Sequence, residues 1–360
     1  MSRKLTICMA GGGTGGHIIP ALAVADALKA RGHQPFFVGT RTGMEARLVP
    51  AANYPIEWIE IGGLNRVSLT RRLRTFWQLP ASVLRVRRLF DVRRPDAVFS
   101  MGGYVAGPVT IAARTKSVPI VLMEPNAVPG YTNRKMARSV RKALINFPET
   151  ADYFPKGVAE QTGVPVREVF FRVAPKTAGK FTLLILGGSQ GSHILNETMR
   201  QAWPQLAAMR ECMRIIHQTG PKEAEELAKG FQATGLDGEI APFIQDVAGA
   251  MSRADLMISR SGASTVSEIA AAGRPAILIP FARAADNHQL RNAESFARAG
   301  GGIVIEETEL TGARLAAEVS ALASEPDRLR RMGECARTLA KPGAANRAVE
   351  ILEEVARQNG

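Results

Sequence analysis

Residues 256–281 read LMISRSGASTVSEIAAAGRPAILIPF. The apolar run Leu256 to Ile258 predicts a buried strand, and the small residues Ser259 to Ala263 predict a tight turn. A helix is expected from near Ser264 to Gly273, with Pro275 opening a second apolar strand, Ala276 to Ile279. Strand, turn, helix and strand in that order make one unit of a parallel sheet. The helix start offers backbone N–H groups with the positive end of the dipole behind them, which suits an anion. Ser264, Thr265 and Ser267 add hydroxyl donors, and Glu268 lies one turn in, where a carboxylate can grip two adjacent sugar hydroxyls. Diphosphate at the helix start and ribose beside Glu268 describe a nucleotide-sugar pocket. The plainer alternative makes Ser264 a cap and Glu268 a partner of the helix dipole.

Working outward, the same grammar recurs. Strands are expected at Lys4–Met9, Pro35–Val38, Ile56–Ile59, Ala97–Ser100, Ile120–Met123 and Ala143–Asn146, with helices between them. The pattern restarts at Phe181–Leu186 and continues with Arg214–Gln218, Glu239–Phe243, Leu256–Ser259, Ala276–Ile279 and Gly302–Ile305. Each half opens with a strand, a Gly-rich turn, a His and a helix: AGGGTGGH at 10–17 and GGSQGSH at 187–193. The fold class is therefore α/β, with two similar doubly wound, Rossmann-like parallel-sheet domains facing a cleft. The expected division is 1–165 and 166–342, with a final helix at about 343–358 that could return to the first domain.

A chain of 360 residues is long enough for two such cores. No apolar run reaches the roughly 18 residues a spanning helix needs. Arg3 and Lys4 precede an apolar run that meets Gly11 at once, which reads as a first strand rather than a signal peptide. Cys8, Cys212 and Cys335 have no ligand spacing, so a reduced compartment without disulfides or a zinc site is expected. The net charge of +13 is uneven: residues 1–167 carry 24 Lys+Arg against 10 Asp+Glu, whereas 168–360 carry 22 against 23. One basic half implies a polyanion or an anionic membrane surface as partner. Residues 64–94 concentrate that charge, with Arg71, Arg72, Arg74, Arg85 and Arg88 interleaved with Phe76, Trp77 and leucines. Two readings apply: an amphipathic helix lying in a membrane interface, or a core-packing helix with a basic outer face. Nucleic acid is not expected, since no binding motif and few aromatics accompany the charge.

The loop Gly11 to His17 contains a formal G-x-G-x-x-G, but the second strand ends Phe37-Val38-Gly39-Thr40, without the acid a dinucleotide site uses. His17 stands where a P-loop would have Lys. His17 reads as a general base or as a local hydrogen-bonder. Further Gly-rich turns follow at 102–107 and 187–191, at strand C-terminal ends, where ligands of such sheets bind. In MEPNAVPGYTN, residues 123–133, Glu124 could act as a base or hold a sugar hydroxyl, or serve turn chemistry around Pro125 and Pro129. No D-x-D occurs, so no metal and no cofactor is expected; the helix start would stabilise a leaving diphosphate instead.

GGGTGGH, MGGYVAGP, LGGSQGS, HQTG and SRSGASTVSEIAAAGRPAILIPF, in this order along essentially the whole chain, resemble the MurG family. That resemblance implies the GT-B glycosyltransferase fold. It also implies inverting transfer of N-acetylglucosamine from UDP-GlcNAc to the muramyl C4 hydroxyl of lipid I, undecaprenyl-pyrophosphoryl-MurNAc-pentapeptide. The products are lipid II and UDP, in peptidoglycan synthesis and hence cell shape and division. The donor would be held mainly by the C-terminal domain. Carried over residue by residue, Thr14, Gly15 and Gly16 approach the donor sugar and the acceptor, and Asn126 touches the GlcNAc. Arg167 and Ser189 contact the donor, and Ile244 holds the uracil edge through its backbone. Ala263, Ser264, Thr265, Val266, Ser267 and Glu268 bind phosphates and ribose, Gln289 holds sugar hydroxyls, and His17 is the candidate base. The implied place is the cytoplasmic face of the bacterial inner membrane, as a peripheral protein, with cell-wall synthesis or division proteins as candidate partners. The chain departs from the family pattern at His288, where a Gln is usual, and at Pro125 and Pro129. A UDP-GlcNAc 2-epimerase, another GT-B nucleotide-sugar enzyme and a non-catalytic nucleotide-sugar binder are the alternatives.

Overall fold

The computed structural model describes residues 3–62, 69–188 and 190–359; the side chains of 69–76 and 285 lie outside the described set. Two compact units divide the chain, Met1–Pro165 with Gly343–Gly360 and Val166–Pro342.

In the first unit apolar runs punctuated by Gly and Pro become strands, and the amphipathic stretches between them become helices. The elements are β1 (Thr6–Gly11), α1 (Gly15–Ala30), β2 (Gln34–Gly39), α2 (Glu45–Ala51), β3 (Ile56–Trp58), α3 (Leu69–Arg93), β4 (Ala97–Gly102), α4 (Gly103–Thr115), β5 (Ile120–Glu124), α5 (Tyr131–Met136), β6 (Lys142–Ile145) and β7 (Ala159–Gln161). The sheet order is β3-β2-β1-β4-β5-β6-β7, and the pairing is parallel throughout. Strand order reverses between β1 and β4, so the loops leaving them diverge and open a crevice at their C-terminal ends. Alternate residues of β1 serve opposite cores: Ile7 and Met9 on one face, Cys8 and Ala10 on the other.

The second unit repeats the plan with α6 (Glu168–Phe171), β8 (Phe181–Leu186), α7 (His193–Leu206), β9 (Met213–Gln218), α8 (Ala224–Gln232), β10 (Asp237–Ala241), α9 (Val247–Arg253), β11 (Leu256–Ser259), α10 (Ala263–Ala272), β12 (Ala276–Leu278), α11 (His288–Arg298), β13 (Gly302–Val304), α12 (Gly312–Ala323) and α13 (Pro326–Thr338). Its parallel order is β10-β9-β8-β11-β12-β13, with the reversal between β8 and β11.

The last helix, α14 (Ala344–Arg357), belongs to the first unit. It buries Ala348, Val349, Ile351, Leu352 and Val355 in the core that α1 shares. Polar contacts tie α14 to the rest of the unit: His33 Nε2 lies 2.9 Å from Glu353, and Arg347 Nε donates to Glu160 at 2.6 Å.

Strand ends differ from the sequence expectation where a partner sets them. β10 spans Asp237–Ala241 instead of Glu239–Phe243, because Asp237 to Ala241 pair with Arg214 to Gln218, and Phe243 lies beyond the ladder. β7 was not expected at all; its three residues, only half-buried or exposed, are a strand only through pairing with β6.

Candidate functional site

In the first unit the loops after β1 and β4 meet at His17. Thr14 takes the N-cap position of α1 without a side-chain capping bond, and Gly15 and Gly16 form the first helical residues. His17 Nδ1 is 3.2 Å from Gly12 O. A carbonyl can only accept, so in the neutral ring Nδ1 carries the proton and Nε2 the lone pair. Gly103, at the start of α4, has φ +78°, and a Cβ there would lie 3.2 Å from Gly12 O and 3.3 Å from His17 Nδ1. The second glycine turn therefore closes on the first, and a side chain there would press on the imidazole.

The loop after β5 is organised by Glu124, which is 2% exposed. Its Oε1 accepts both the backbone N–H and the side-chain Nδ2 of Asn126 at 3.0 Å. Its Oε2 accepts Gly130 N–H at 3.1 Å and Asn133 Nδ2 at 2.7 Å. Burial pushes the carboxyl above its usual range, and the four donors oppose that shift. Both oxygens are thus engaged by the loop and by α5, and Asn126 is presented by Glu124.

In the second unit α10 begins at Ala263, with Gly262 at the N-cap and no side-chain capping bond. Ser264 lies inside the first turn, so the capping role considered for it is not used. Ala263, Val266 and Ser267 are buried, while Ser264, Thr265 and Glu268 are partly exposed. Burial raises the Glu268 carboxyl to about 7, against a lowering by the nearby Arg167 charge. Arg167 caps α6 and stacks its guanidinium on Phe170, 4.8 Å from the ring centroid. Arg167 and Glu268, a hundred residues apart in sequence, are thereby brought within electrostatic reach.

Gln218 ties two loops to one another. Its Nε2 donates to Gly188 O at 2.8 Å, and its Oε1 accepts Ile244 N–H at 2.9 Å. Arg260 does the same on the other side of β8: Nε donates to Ser192 Oγ at 3.1 Å, and Nη1 donates to Glu307 at 2.5 Å and to Ile279 O at 3.3 Å. Gln289, in the first turn of α11, accepts Phe281 N–H on Oε1 at 3.0 Å, and its backbone carbonyl accepts Ser261 Oγ at 2.8 Å. The loop before it bends through Asp286 (φ +51°) and Asn287 (φ +52°), residue types that tolerate the left-handed region. Ser189 lies outside the described residues.

Both units of the chain match known proteins. The glycosyltransferase family 28 N-terminal domain matches residues 7–145, and the family 28 C-terminal domain matches 182–348. Over 350 residues the chain is 55% identical to the UDP-N-acetylglucosamine--N-acetylmuramyl-(pentapeptide) pyrophosphoryl-undecaprenol N-acetylglucosamine transferase of Solibacter usitatus, covering 97% of this chain and 96% of that protein. The chain belongs to the MurG family. The same-named protein of an Anaeromyxobacter species is 39% identical over 98% of this chain and 94% of its own length. The crystal structure of Acinetobacter baumannii MurG superposes with a TM-score of 0.84 at 33% identity, covering 98% of this chain and all of that one. The glycotransferase of kitacinnamycin, at 19% identity and a TM-score of 0.74, shares the fold. The chain is a glycosyltransferase with the GT-B fold, built from two Rossmann-like domains.

In this MurG-family chain, α3 packs one face into the core and leaves the other exposed. Ser82, Val86 and Phe90 are buried, with Leu79, Val83 and Leu89 packed beside them. The opposite stripe exposes Trp77 (76%), Leu84 (52%) and Val92 (80%), together with Arg85 and Arg88. The side chains of Arg71, Arg72, Arg74 and Phe76 lie outside the described residues. Among the described residues no helix is long and apolar enough to cross a membrane. Sequence reasoning missed Gln218 and Arg260 as loop organisers, and it missed Glu45. Their signal is a polar residue at a strand end or helix start, which also fits an ordinary cap.

Proposed function

We propose that this chain transfers N-acetylglucosamine from UDP-GlcNAc to the C4 hydroxyl of the muramyl sugar of lipid I, with inversion, giving lipid II and UDP. The observation that carries the reading is the 55% identity, across 97% of the chain, to a transferase named for this donor and this undecaprenol-linked acceptor. The site chemistry supports it. The α10 start, with no side-chain cap, receives the diphosphate, and its hydroxyls at Ser264 and Thr265 add donors. Glu268 accepts the ribose hydroxyls, Arg167 and Ser189 contact the donor, and the backbone of Ile244 meets the uracil edge. Asn126, held by Glu124, and Gln289 bind the GlcNAc hydroxyls.

In the reaction the acceptor oxygen bonds to C1 as the C1–O bond to UDP breaks, so a single displacement inverts the anomeric centre. The bonding pair leaves on UDP, and His17 Nε2 takes the hydroxyl proton. Thr14, Gly15 and Gly16 approach the reacting sugars through backbone. The outer stripe of α3, apolar side chains flanked by Arg85 and Arg88, rests on an anionic bilayer, the inner face of the plasma membrane where a lipid-linked acceptor lies.

UDP release from UDP-GlcNAc, measured with and without a short-chain lipid I analogue, tests this directly. Acceptor-dependent release with a disaccharide product is expected. Loss of UDP-GlcNAc without acceptor would replace the transferase reading with an epimerase or hydrolase.

A further inference from the structure

A peptide unit has two polar ends, and in the first glycine-rich loop both ends of one unit are gripped. The carbonyl of Gly12 faces His17 Nδ1 at 3.2 Å, and the N–H of Gly13, on the same peptide, donates to Glu45 Oε2 at 2.8 Å. We propose that Glu45 is a positioning residue for His17, acting through the Gly12–Gly13 peptide. The carboxylate draws on the N–H and polarises the carbonyl, which then holds the imidazole in its Nδ1–H form. Nε2 is thereby left as the proton acceptor. This is the orienting role a carboxylate often plays toward a histidine base, carried here across one amide.

The surroundings of Glu45 fit that role better than a helix-start acid. An acid in the first turn of α2 complements the dipole from the surface, yet Glu45 is 0% exposed. Burial of a carboxylate is costly unless its lone pairs are met. Here Oε1 accepts Thr40 N–H at 3.0 Å and Thr40 Oγ1 at 2.8 Å, and the Tyr104 hydroxyl lies 3.2 Å from Thr40 Oγ1. The Thr40 hydroxyl donates to Glu45, so Tyr104 donates to Thr40, and the chain of donors runs toward the carboxylate. Room for it is made by glycines from three segments. A Cβ on Gly12 or Gly39 would lie 2.7 Å from the Glu45 side chain, and one on Gly43 would overlap it. The loop, the end of β2 and the start of α2 are all shaped around this one group.

The proposal rests on His17 being the base, and the test separates the two. Histidine-selective 15N labelling reports the tautomer; the chain has five histidines, and His17→Gln assigns the signal. Glu45→Gln keeps the shape but puts an NH2 group against Gly13 N–H or Thr40. The Nδ1–H population of His17 is expected to fall. The value of kcat is expected to drop by about tenfold with the donor KM within about twofold, and Glu45→Gln is expected to cost nothing further in the His17→Gln background. A folded Glu45→Gln protein with an unchanged His17 tautomer overturns the proposal. A shifted tautomer with unchanged kcat supports it and overturns His17 as the base. If Glu45→Gln does not fold, Glu45→Asp keeps the charge but withdraws it from Gly13 by about 1.5 Å, one C–C bond. The same tautomer shift is expected there, and its absence overturns the proposal equally.

Discussion

With Glu268 in its proposed place on the ribose, donor binding is expected to be pH-dependent, and the size of the effect follows from its position. Burial raises its titration to about 7, only partly offset by Arg167. A carboxylate that accepts two ribose hydroxyls must be ionised to do so fully. Around this midpoint roughly a tenth of the protein has an ionised Glu268 at pH 6 and roughly nine-tenths at pH 8. UDP-GlcNAc affinity should therefore rise about tenfold across that interval and level off above it, with about half a proton released per donor bound at pH 7. The sign for stability is opposite. A raised carboxyl favours the folded state at low pH, and that contribution is lost as pH climbs from the unfolded value near 4.5 through about 7. Glu268→Gln keeps the shape, removes the titration and weakens two charge-assisted bonds. A loss of about 2–3 kcal/mol, or roughly 30- to 150-fold in Kd at pH 8, is expected, shrinking toward pH 6. The assay is calorimetric titration in buffers of differing ionisation heat. The donor itself is the correct titrant, because the terminal phosphate of free UDP titrates near pH 6, like other phosphomonoesters. A wild-type affinity that is flat from pH 6 to pH 8, or a Gln variant with the wild-type slope, would refute the assignment of Glu268 to the ribose.

Three further expectations concern other parts of the chain. Arg260→Ala strands Glu307 and releases the Ser192 and Ile279 contacts; with both charges about 15% exposed, a loss of about 2–3 kcal/mol in denaturant unfolding is expected. His217 is fully buried, neither ring nitrogen has a hydrogen-bond partner among the described residues, and burial lowers it to about 3. Neutral His217 therefore supports folding above the unfolded value of 6.5, and that support is lost as pH falls toward 3, so His217→Leu should gain stability over wild type as pH drops from 6.5 to 4. Equal slopes for the two proteins would argue against an unpaired neutral imidazole. Arg85→Glu with Arg88→Glu removes two cations from the outer stripe of α3; at about 1 kcal/mol each, binding to anionic vesicles in a sedimentation assay should weaken at least about thirtyfold, while turnover of a soluble acceptor analogue stays near wild type.

What could be read from sequence was whatever depends on neighbours along the chain. Leu256 to Ile258 is apolar and bounded by turn residues, so a buried strand followed by a helix was legible, and repetition of that grammar gave two parallel-sheet domains. Gly-rich turns were expected at the C-terminal ends of strands, and they lie there after β1, β4 and β8. What could not be read depends on a partner distant in sequence. The ends of β10 are set by β9, and β7 exists only by pairing with β6. The 64–94 stretch supported two roles on paper; the helix shows the core-packing one, with Val86 turned inward, and leaves Trp77 and Arg85 on its outer face.

Polar groups are the extreme case, because a side chain's chemistry states what it can bond and never which group it meets. Glu124 read as a base, a sugar ligand or turn chemistry, and the fold spends both its oxygens on Asn126, Gly130 and Asn133. Glu45 carried no signal beyond its place at the start of a short helix, yet the fold brings Gly12, Gly39 and Gly43 around it. Each of those glycines, read alone, is a flexible turn residue. Together they are the walls of a carboxylate site, and that relation exists only once β1, β2 and α2 are packed. A Gly-rich loop thus has two readings that sequence cannot separate: space for a ligand, or space for the residue that holds the loop still. In this chain Gly103 closes on His17 while Gly12 makes room for Glu45, so both glycines serve protein side chains, on the two sides of a single peptide.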